Sequence, residues 1–271
     1  MSRTLIVIPC YNEAARLPVE TFRGFIESNP DIDFLFVDDG SSDETGELIT
    51  ALAEERPGRF HALRLEQNGG KAEAVRHGIN HGLDLEPGHA YIGFFDADLA
   101  TPLEEIRPMR DLLEDRPELE IIFGARVNLL GRMIRRNLLR HYLGRIFATL
   151  AVLVVGVPIY DTQCGAKLFR VNQTTRDLFE EPFLSKWIFD VELIARLVRD
   201  RRGTELPGPR EIICEYPLHT WTDVAGSKIR RSDFFIVGID LMRIYFTYMR
   251  GAPVRTTHAE PREAPSSDPT S

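Results

Sequence analysis

The chain has 271 residues, 43% of them hydrophobic and 27% charged, which is ordinary for a globular protein with one large core or a core plus a small appendage. A formal net charge of −8 argues against nucleic acid as a partner, because a nucleic-acid binder carries a basic electrostatic footprint. Cys10, Cys164 and Cys214 are odd in number and far apart, which reads as free thiols in a reducing compartment and not as a disulfide or zinc framework.

In chain order, the first apolar run, 5–8, is too short for the core of a signal peptide and ends at Pro9. Strands are predicted at 4–8, 34–37, 61–65, 91–95 and 121–123, with amphipathic helices near 19–28, 43–55, 71–82 and 103–114 between them. Such alternation predicts an α/β fold, a mostly parallel sheet flanked by helices on both faces. Thr101 reads as the N-cap of the fourth helix and Pro102 as its first residue. Beyond 125 the pattern shifts to longer helices around 135–156, 188–201 and 232–249, with short strands near 167–170 and 211–216. This half completes the sheet and builds the second wall of a cleft. The longest apolar stretch, 146–157, is about a dozen residues against the roughly 20 needed to cross a bilayer. With Arg132, Arg135, Arg136, Arg140 and Arg145 crowding its leading end, it reads either as a buried helix or as one seated in the membrane interface. The tail, 252–271, is rich in Pro, Ser, Thr and Ala and is expected to be disordered.

Four segments coincide with predicted strand ends, where open α/β sheets bind ligands. Pro9-Cys10-Tyr11-Asn12-Glu13 follows the first strand and Asp38-Asp39-Gly40-Ser41-Ser42-Asp43 the second. A carboxylate there can accept from a ribose hydroxyl or a base N–H. Turn chemistry with Ser42 or Asp43 as a helix cap explains residues 40–43 but not two adjacent acids. Gln67-Asn68-Gly69-Gly70-Lys71 joins the third strand to a helix and lacks the glycine spacing of a P-loop or a dinucleotide fingerprint. Asp96-Ala97-Asp98 ends the fourth strand; its carboxylates either hold a hard divalent cation or cap the helix that follows.

Together, Val7 to Glu13, Val37 to Asp43 and Asp96-Ala97-Asp98 resemble, in order and spacing, the family-two glycosyltransferases of GT-A fold. Within them the chain is most similar to the dolichyl- or polyprenyl-phosphate sugar synthases. That narrowing rests on Gly124-Ala125-Arg126, the arginine-rich helix start, Asp161 to Phe169, Phe189-Asp190-Val191-Glu192 and Trp221 to Lys228. Asp161-Thr162-Gln163-Cys164-Gly165 and Trp221-Thr222 with Gly226-Ser227-Lys228 favour the glucosyl branch over the mannosyl one. The resemblance covers about residues 3–250.

What the resemblance implies is one GT-A (Rossmann-like) domain over 1–251, with a nucleotide-binding half to about 125 and an acceptor half from about 126. Pro9, Tyr11, Asn12, Glu13 and Asp39 would hold the nucleoside, and Lys71 and Asp96 would lie near the ribose and diphosphate. Asp98 would be the principal ligand of Mg²⁺ or Mn²⁺, with Asp96 as the second. Lys228 would close over the diphosphate from a loop. Arg126, Arg136 and Arg140 match acceptor-phosphate positions, the alternative being a solvated helix face. Asp161 would be an auxiliary base or an acceptor-orienting group, or else a plain turn residue. Glu192 would face the donor sugar or lie on a helix surface.

The expected reaction is inverting transfer of glucose from UDP-glucose to a dolichyl or polyprenyl phosphate. A phosphate monoester has its second pKa near 6 and so attacks with little general-base help. GDP-mannose as donor is the near alternative, and a non-catalytic sugar-nucleotide-binding module that docks on membranes the distant one. Where some mannosyl relatives carry Gln, this chain has Ala100. Many relatives carry a membrane-spanning helix and none is predicted here, so lipid contact is expected to be peripheral, at the cytoplasmic face, or through a membrane-protein partner.

Overall fold

In the computed structural model, which describes residues 2–135, 138–222 and 231–250, the first apolar run forms strand β1 (Thr4–Cys10). It pairs in parallel with β2 (Ile32–Asp38), buried along its whole length. Unbroken burial is what a strand covered on both faces requires, and Phe34, Leu35, Phe36 and Val37 supply it. Helix α1 (Val19–Ser28) connects them; α2 (Thr45–Glu55), β3 (Phe60–Arg64), α3 (Lys71–Leu83) and β4 (Tyr91–Phe95) continue the alternation. A 3₁₀ turn at Leu103–Glu105 leads into α4 (Ile106–Asp115), then β5 (Ile121–Ala125) and the short β6 (Met133–Arg135). The second half adds α5 (Leu138–Val155), β7 (Ala166–Arg170), α6 (Gln173–Glu180), α7 (Phe189–Arg201), α8 (Pro209–Ile212), β8 (Ile213–Pro217), β9 (Thr220–Thr222) and α9 (Arg231–Ile244). A π-helical turn, Tyr245–Met249, follows α9.

The seven-stranded sheet has the order β3-β2-β1-β4-β7-β5-β8, parallel except for β7, which runs antiparallel to both β4 and β5. The strand β6 pairs with β9 in a separate parallel ribbon. Alternate residues of one strand enter opposite cores: Leu5 and Val7 join the cluster with α3 and α7, while Ile6 and Ile8 join the one with α1 and α4. Because β1, β2 and β4 run in parallel, the loops after them meet at one sheet edge. The reversed β7 brings the loop before it, 161–165, to the same edge, since Ala166 pairs with Phe95.

The predicted strands and long helices are present, with ends displaced by one to three residues where they differ, save that the helix predicted to 249 is α-helical only to Ile244 and continues to Met249 as the π-helical turn. Thr101 does not cap: the residue before the 3₁₀ turn is Pro102 in extended geometry (ψ 149°), and no side chain caps it. Strands β6 and β9, three residues each, and helix α6 were not foreseen. Segment 146–157 has one side in the core and one outside it: Ala148, Ala151 and Val155 are buried, whereas Leu150 and Leu153 are 48% and 75% exposed. Among the described residues no helix is long and apolar enough to cross a membrane. Arg136, Lys228 and the tail 252–271 lie outside the described residues, and Arg140 is described only as part of the first turn of α5.

Candidate active site

The two acids at the end of β2 divide into separate roles. Asp38 Oδ1 accepts the Ser41 amide (2.9 Å) and shapes the turn, whose tightness requires Gly40 at φ +64°. Asp39 instead faces the β3–α3 loop, accepting the amides of Gly69 on Oδ1 and Gly70 on Oδ2, each at 2.8 Å. Burial raises its pKa against the lowering effect of those two amides. Asn12, at φ 52°, ties the first two loops together: its Oδ1 accepts the Ser42 amide (2.9 Å) and its own amide donates to Ser41 Oγ (3.0 Å). It braces the site and does not line it.

A cleft of about 270 Å³ is lined by Pro9, Cys10, Tyr11, Glu13, Asp39, Lys71, Ala74, Asp96, Ala97 and Asp98. Nearly every donor-side residue named from the sequence therefore shares one cavity. Tyr11 is 48% exposed, an aromatic face open to a planar base. Lys71 opens α3 and is ion-paired with Asp96. Burial alone would lower the Lys71 pKa, but Asp96, Asp190 and Asp98 together raise it, so it stays an ammonium. Glu13, bonded to Arg16 at 2.7 Å, has its pKa raised by burial and by Asp98 and Asp43, against Arg16.

The turn carrying Asp96 and Asp98 is strained: Leu99 sits at φ 49°, a conformation that costs a non-glycine residue about 1–3 kcal/mol. It is braced on both sides, by the Asp96 amide donating to Gly165 O (3.1 Å) and the Thr222 amide donating to Ala100 O (3.1 Å). Asp98 Oδ1 accepts the Ala100 amide at 3.0 Å, and partial desolvation with Asp96 nearby raises the Asp98 pKa. Among the described residues no cluster of three or more His, Cys, Asp or Glu could enclose a metal. Two carboxylates at an open cleft nevertheless fit Mg²⁺ or Mn²⁺, which keep waters and take phosphate oxygens, better than a metal that needs a closed cage.

On the side that the resemblance assigns to the acceptor, the structure joins two residues the sequence had given separate tasks. Arg126 grips Asp161 with Nε on Oδ2 and Nη2 on Oδ1, both at 2.7 Å, and its amide adds a third bond at 3.0 Å. Burial works against the Arg126 charge but Asp161 outweighs it, so its pKa is raised. The guanidinium also lies 5.2 Å from the Trp221 ring centre. Beside the pair is a small cavity of about 40 Å³ lined in part by Tyr160, Thr162 and Gln163. Thr162 Oγ1 is buried with no hydrogen-bond partner among the described residues.

The family model described as Glycosyl transferase family 2 matches residues 5–173. The chain belongs to that family. Over 260 residues it is 31% identical to a dolichyl-phosphate beta-glucosyltransferase of Dictyostelium discoideum, covering 91% of this chain and 75% of the relative. Relatives of the same description from Saccharomyces cerevisiae and Homo sapiens are each 30% identical, over 91% of this chain and 75% and 76% of theirs. The solved glucosyl-3-phosphoglycerate synthase of Mycobacterium tuberculosis, in complex with Mn²⁺, UDP and phosphoglyceric acid, superposes with a TM-score of 0.64 at 17% identity, covering 93% of this chain and 80% of that one. The fold is GT-A.

Sequence reasoning missed several residues that frame this glycosyltransferase site. Lys167 is fully buried, its ammonium donating to Thr162 O (3.0 Å) and Cys164 O (2.7 Å) and pairing with Asp190 at 2.5 Å. It fixes the loop that brings Gly165 against Asp96. A lysine inside an apolar strand motif was the available signal. Glu105, also buried, accepts the amides of His219 (2.6 Å) and Thr220 (3.0 Å) and so anchors β9. Glu192 neither lines the cleft nor reaches solvent. It is fully buried and accepts from the Leu184 amide (2.8 Å), Arg196 (2.8 Å) and the Tyr248 hydroxyl (2.8 Å), because α7 is enclosed on the side where a surface acid would lie.

Proposed function

We propose that this family-two enzyme transfers glucose from UDP-glucose to a dolichyl or polyprenyl phosphate with inversion, using Mg²⁺ or Mn²⁺. What carries the reading is one cleft that gathers Tyr11, Glu13, Asp39, Lys71, Asp96 and Asp98, in a chain about 30% identical over nine-tenths of its length to dolichyl-phosphate beta-glucosyltransferases. Asp39 and Tyr11 hold the nucleoside, the one by hydrogen bonding and the other by its aromatic face. Asp98, with Asp96, would hold the divalent cation, which offsets the charge of the departing diphosphate. Lys71 pairs with Asp96 and orients it. The acceptor is already anionic, so Asp161 serves by holding Arg126 toward the acceptor and not as a base. Arg136, Arg140 and Lys228 complete the phosphate-binding set.

Peripheral membrane contact, direct or through a membrane-protein partner, follows from a lipid acceptor, and we place it at the cytoplasmic face. The exposed Leu129, Leu130, Met133, Leu150 and Leu153 on the acceptor half support it. The deciding assay supplies purified protein, Mg²⁺, a short-chain polyprenyl phosphate, and radiolabelled UDP-glucose or GDP-mannose in parallel. A glucolipid from UDP-glucose is expected; a mannolipid from GDP-mannose would transfer the reading to the other donor, and no lipid-linked sugar from either would sink it.

A further inference from the structure

Lys186 lies on the loop between α6 and α7, outside every group assigned a role so far. Its neighbours are fixed in place. Glu192 accepts the amides of Leu184 (2.8 Å) and Ser185 (3.2 Å), Ser185 Oγ donates to Asp240 (2.6 Å), and the same Oγ accepts the amides of Trp187 (3.2 Å) and Ile188 (3.0 Å). Between these anchors the Lys186 side chain is exposed. Its stem lies over Gly70: a Cβ added there would meet Lys186 Cδ at 3.3 Å and its Cβ and Cγ at 3.6 Å.

Gly70 lies on the loop that runs between the two ends of the donor cleft, just behind the residues that line it. Gly70 bonds the nucleoside-side acid Asp39, and the next residue, Lys71, pairs with Asp96 at the diphosphate side. Lys186 is near enough to Asp39 to lower its pKa. Among the described residues it has no carboxylate within 4.0 Å. The cleft presents four carboxylates, Glu13, Asp39, Asp96 and Asp98, against Lys71 and the Arg16 that bonds Glu13. An anionic diphosphate entering such a site needs positive charge that is not already committed. Lys71 is neutralised by Asp96; Lys186 is not. An ammonium on phosphate oxygens makes charge-assisted hydrogen bonds, about twice as strong as those between neutral groups.

We propose that Lys186 is a donor-binding residue whose ammonium contacts the phosphates of the nucleoside diphosphate across Gly70. The proposal rests on the donor reading above. UDP is titrated calorimetrically into the full-length wild type, K186A and K186R in Mg²⁺ buffer, GDP is titrated into the wild type alongside, and uridine is followed by ligand-observed NMR. K186A is expected to bind UDP about tenfold more weakly, or about 1.4 kcal/mol, with uridine unchanged, while K186R stays within about threefold of wild type. Wild-type UDP affinity in K186A would overturn the contact, as would a parallel loss of uridine binding, which would mark a structural role. A wild type that binds neither UDP nor GDP would instead overturn the donor reading, and the contact with it. Unchanged melting of K186A, expected of an exposed position, ensures that any loss is read as binding.

Discussion

At the scale of single residues the site depends on positions where a side chain has no room. A Cβ on Gly165 would lie 1.9 Å from Asp96 Oδ2 and 2.3 Å from its Cγ, so Gly165→Ala must turn the Asp96 carboxylate away from Lys71. Turnover is expected to fall about a hundredfold, the cost of misplacing a reacting group by about an ångström, at a stability loss of about 1–3 kcal/mol. Transfer assays and urea melts check both, and near-normal turnover would remove Asp96 from the proposed machinery. Asp98→Ala forfeits one hydrogen bond at an exposed site. It should abolish transfer while changing stability by no more than about 1 kcal/mol; retained activity would refute the cation assignment. Both acids were legible from the sequence because they end an apolar strand. The need for glycine at 165 was not, since it arises from a chain crossing 69 residues downstream of Asp96.

Among the elements, α7 shows how an acid reads one way in sequence and another in the fold. Glu192 and Arg196 are one helical turn apart, a spacing that on an exposed helix means a weak surface pair. Here both are buried, at 0% and 1% exposure, and Glu192 also holds the 184–185 amides and Tyr248. Removing one partner leaves a buried charge uncompensated, so Glu192→Ala should cost about 3–5 kcal/mol. A urea titration would show it, and a shift below about 1 kcal/mol would mean that the pair is solvated. The same change loosens the loop carrying Lys186. Helix α5 was ambiguous for a related reason: an apolar composition alone does not say which face finds a neighbour.

At the scale of the whole molecule, the sheet edge away from the cleft is held by buried acids. Asp33, fully buried, receives Arg3 (2.7 Å), Arg59 (2.7 Å) and His89 (2.9 Å), while Asp31 receives Arg107 and Arg110. Burial pushes both pKa values up, but these partners outweigh it and hold both below the ordinary value of 3.8. A depressed folded-state pKa contributes stability that is present above the unfolded value and lost as pH falls through the folded one. Asp39, Glu13 and Asp98, all raised by burial, act in the opposite sense, adding stability only at acid pH and losing it as pH rises through their folded values. The Asp31 and Asp33 networks should therefore make stability fall as pH drops below about 4, with Asp33→Asn flattening the stability–pH curve there. Melting curves at several pH values check this; a wild-type curve flat across that range would refute it.

By itself the sequence determined the α/β alternation, the strand ends and the acids standing on them, because burial on both faces demands unbroken apolar runs and the ligand edge demands polar residues directly after them. It also carried the family through motif order. Tertiary structure alone decided which acid serves the cleft and which the turn, the pairing of Arg126 with Asp161, the burial of Lys167 and Glu192, and the position of Lys186 over Gly70. Each of these depends on segments far apart in the chain packing at one sheet edge, where a side chain's task is set by the neighbour it meets and by how much water remains between them.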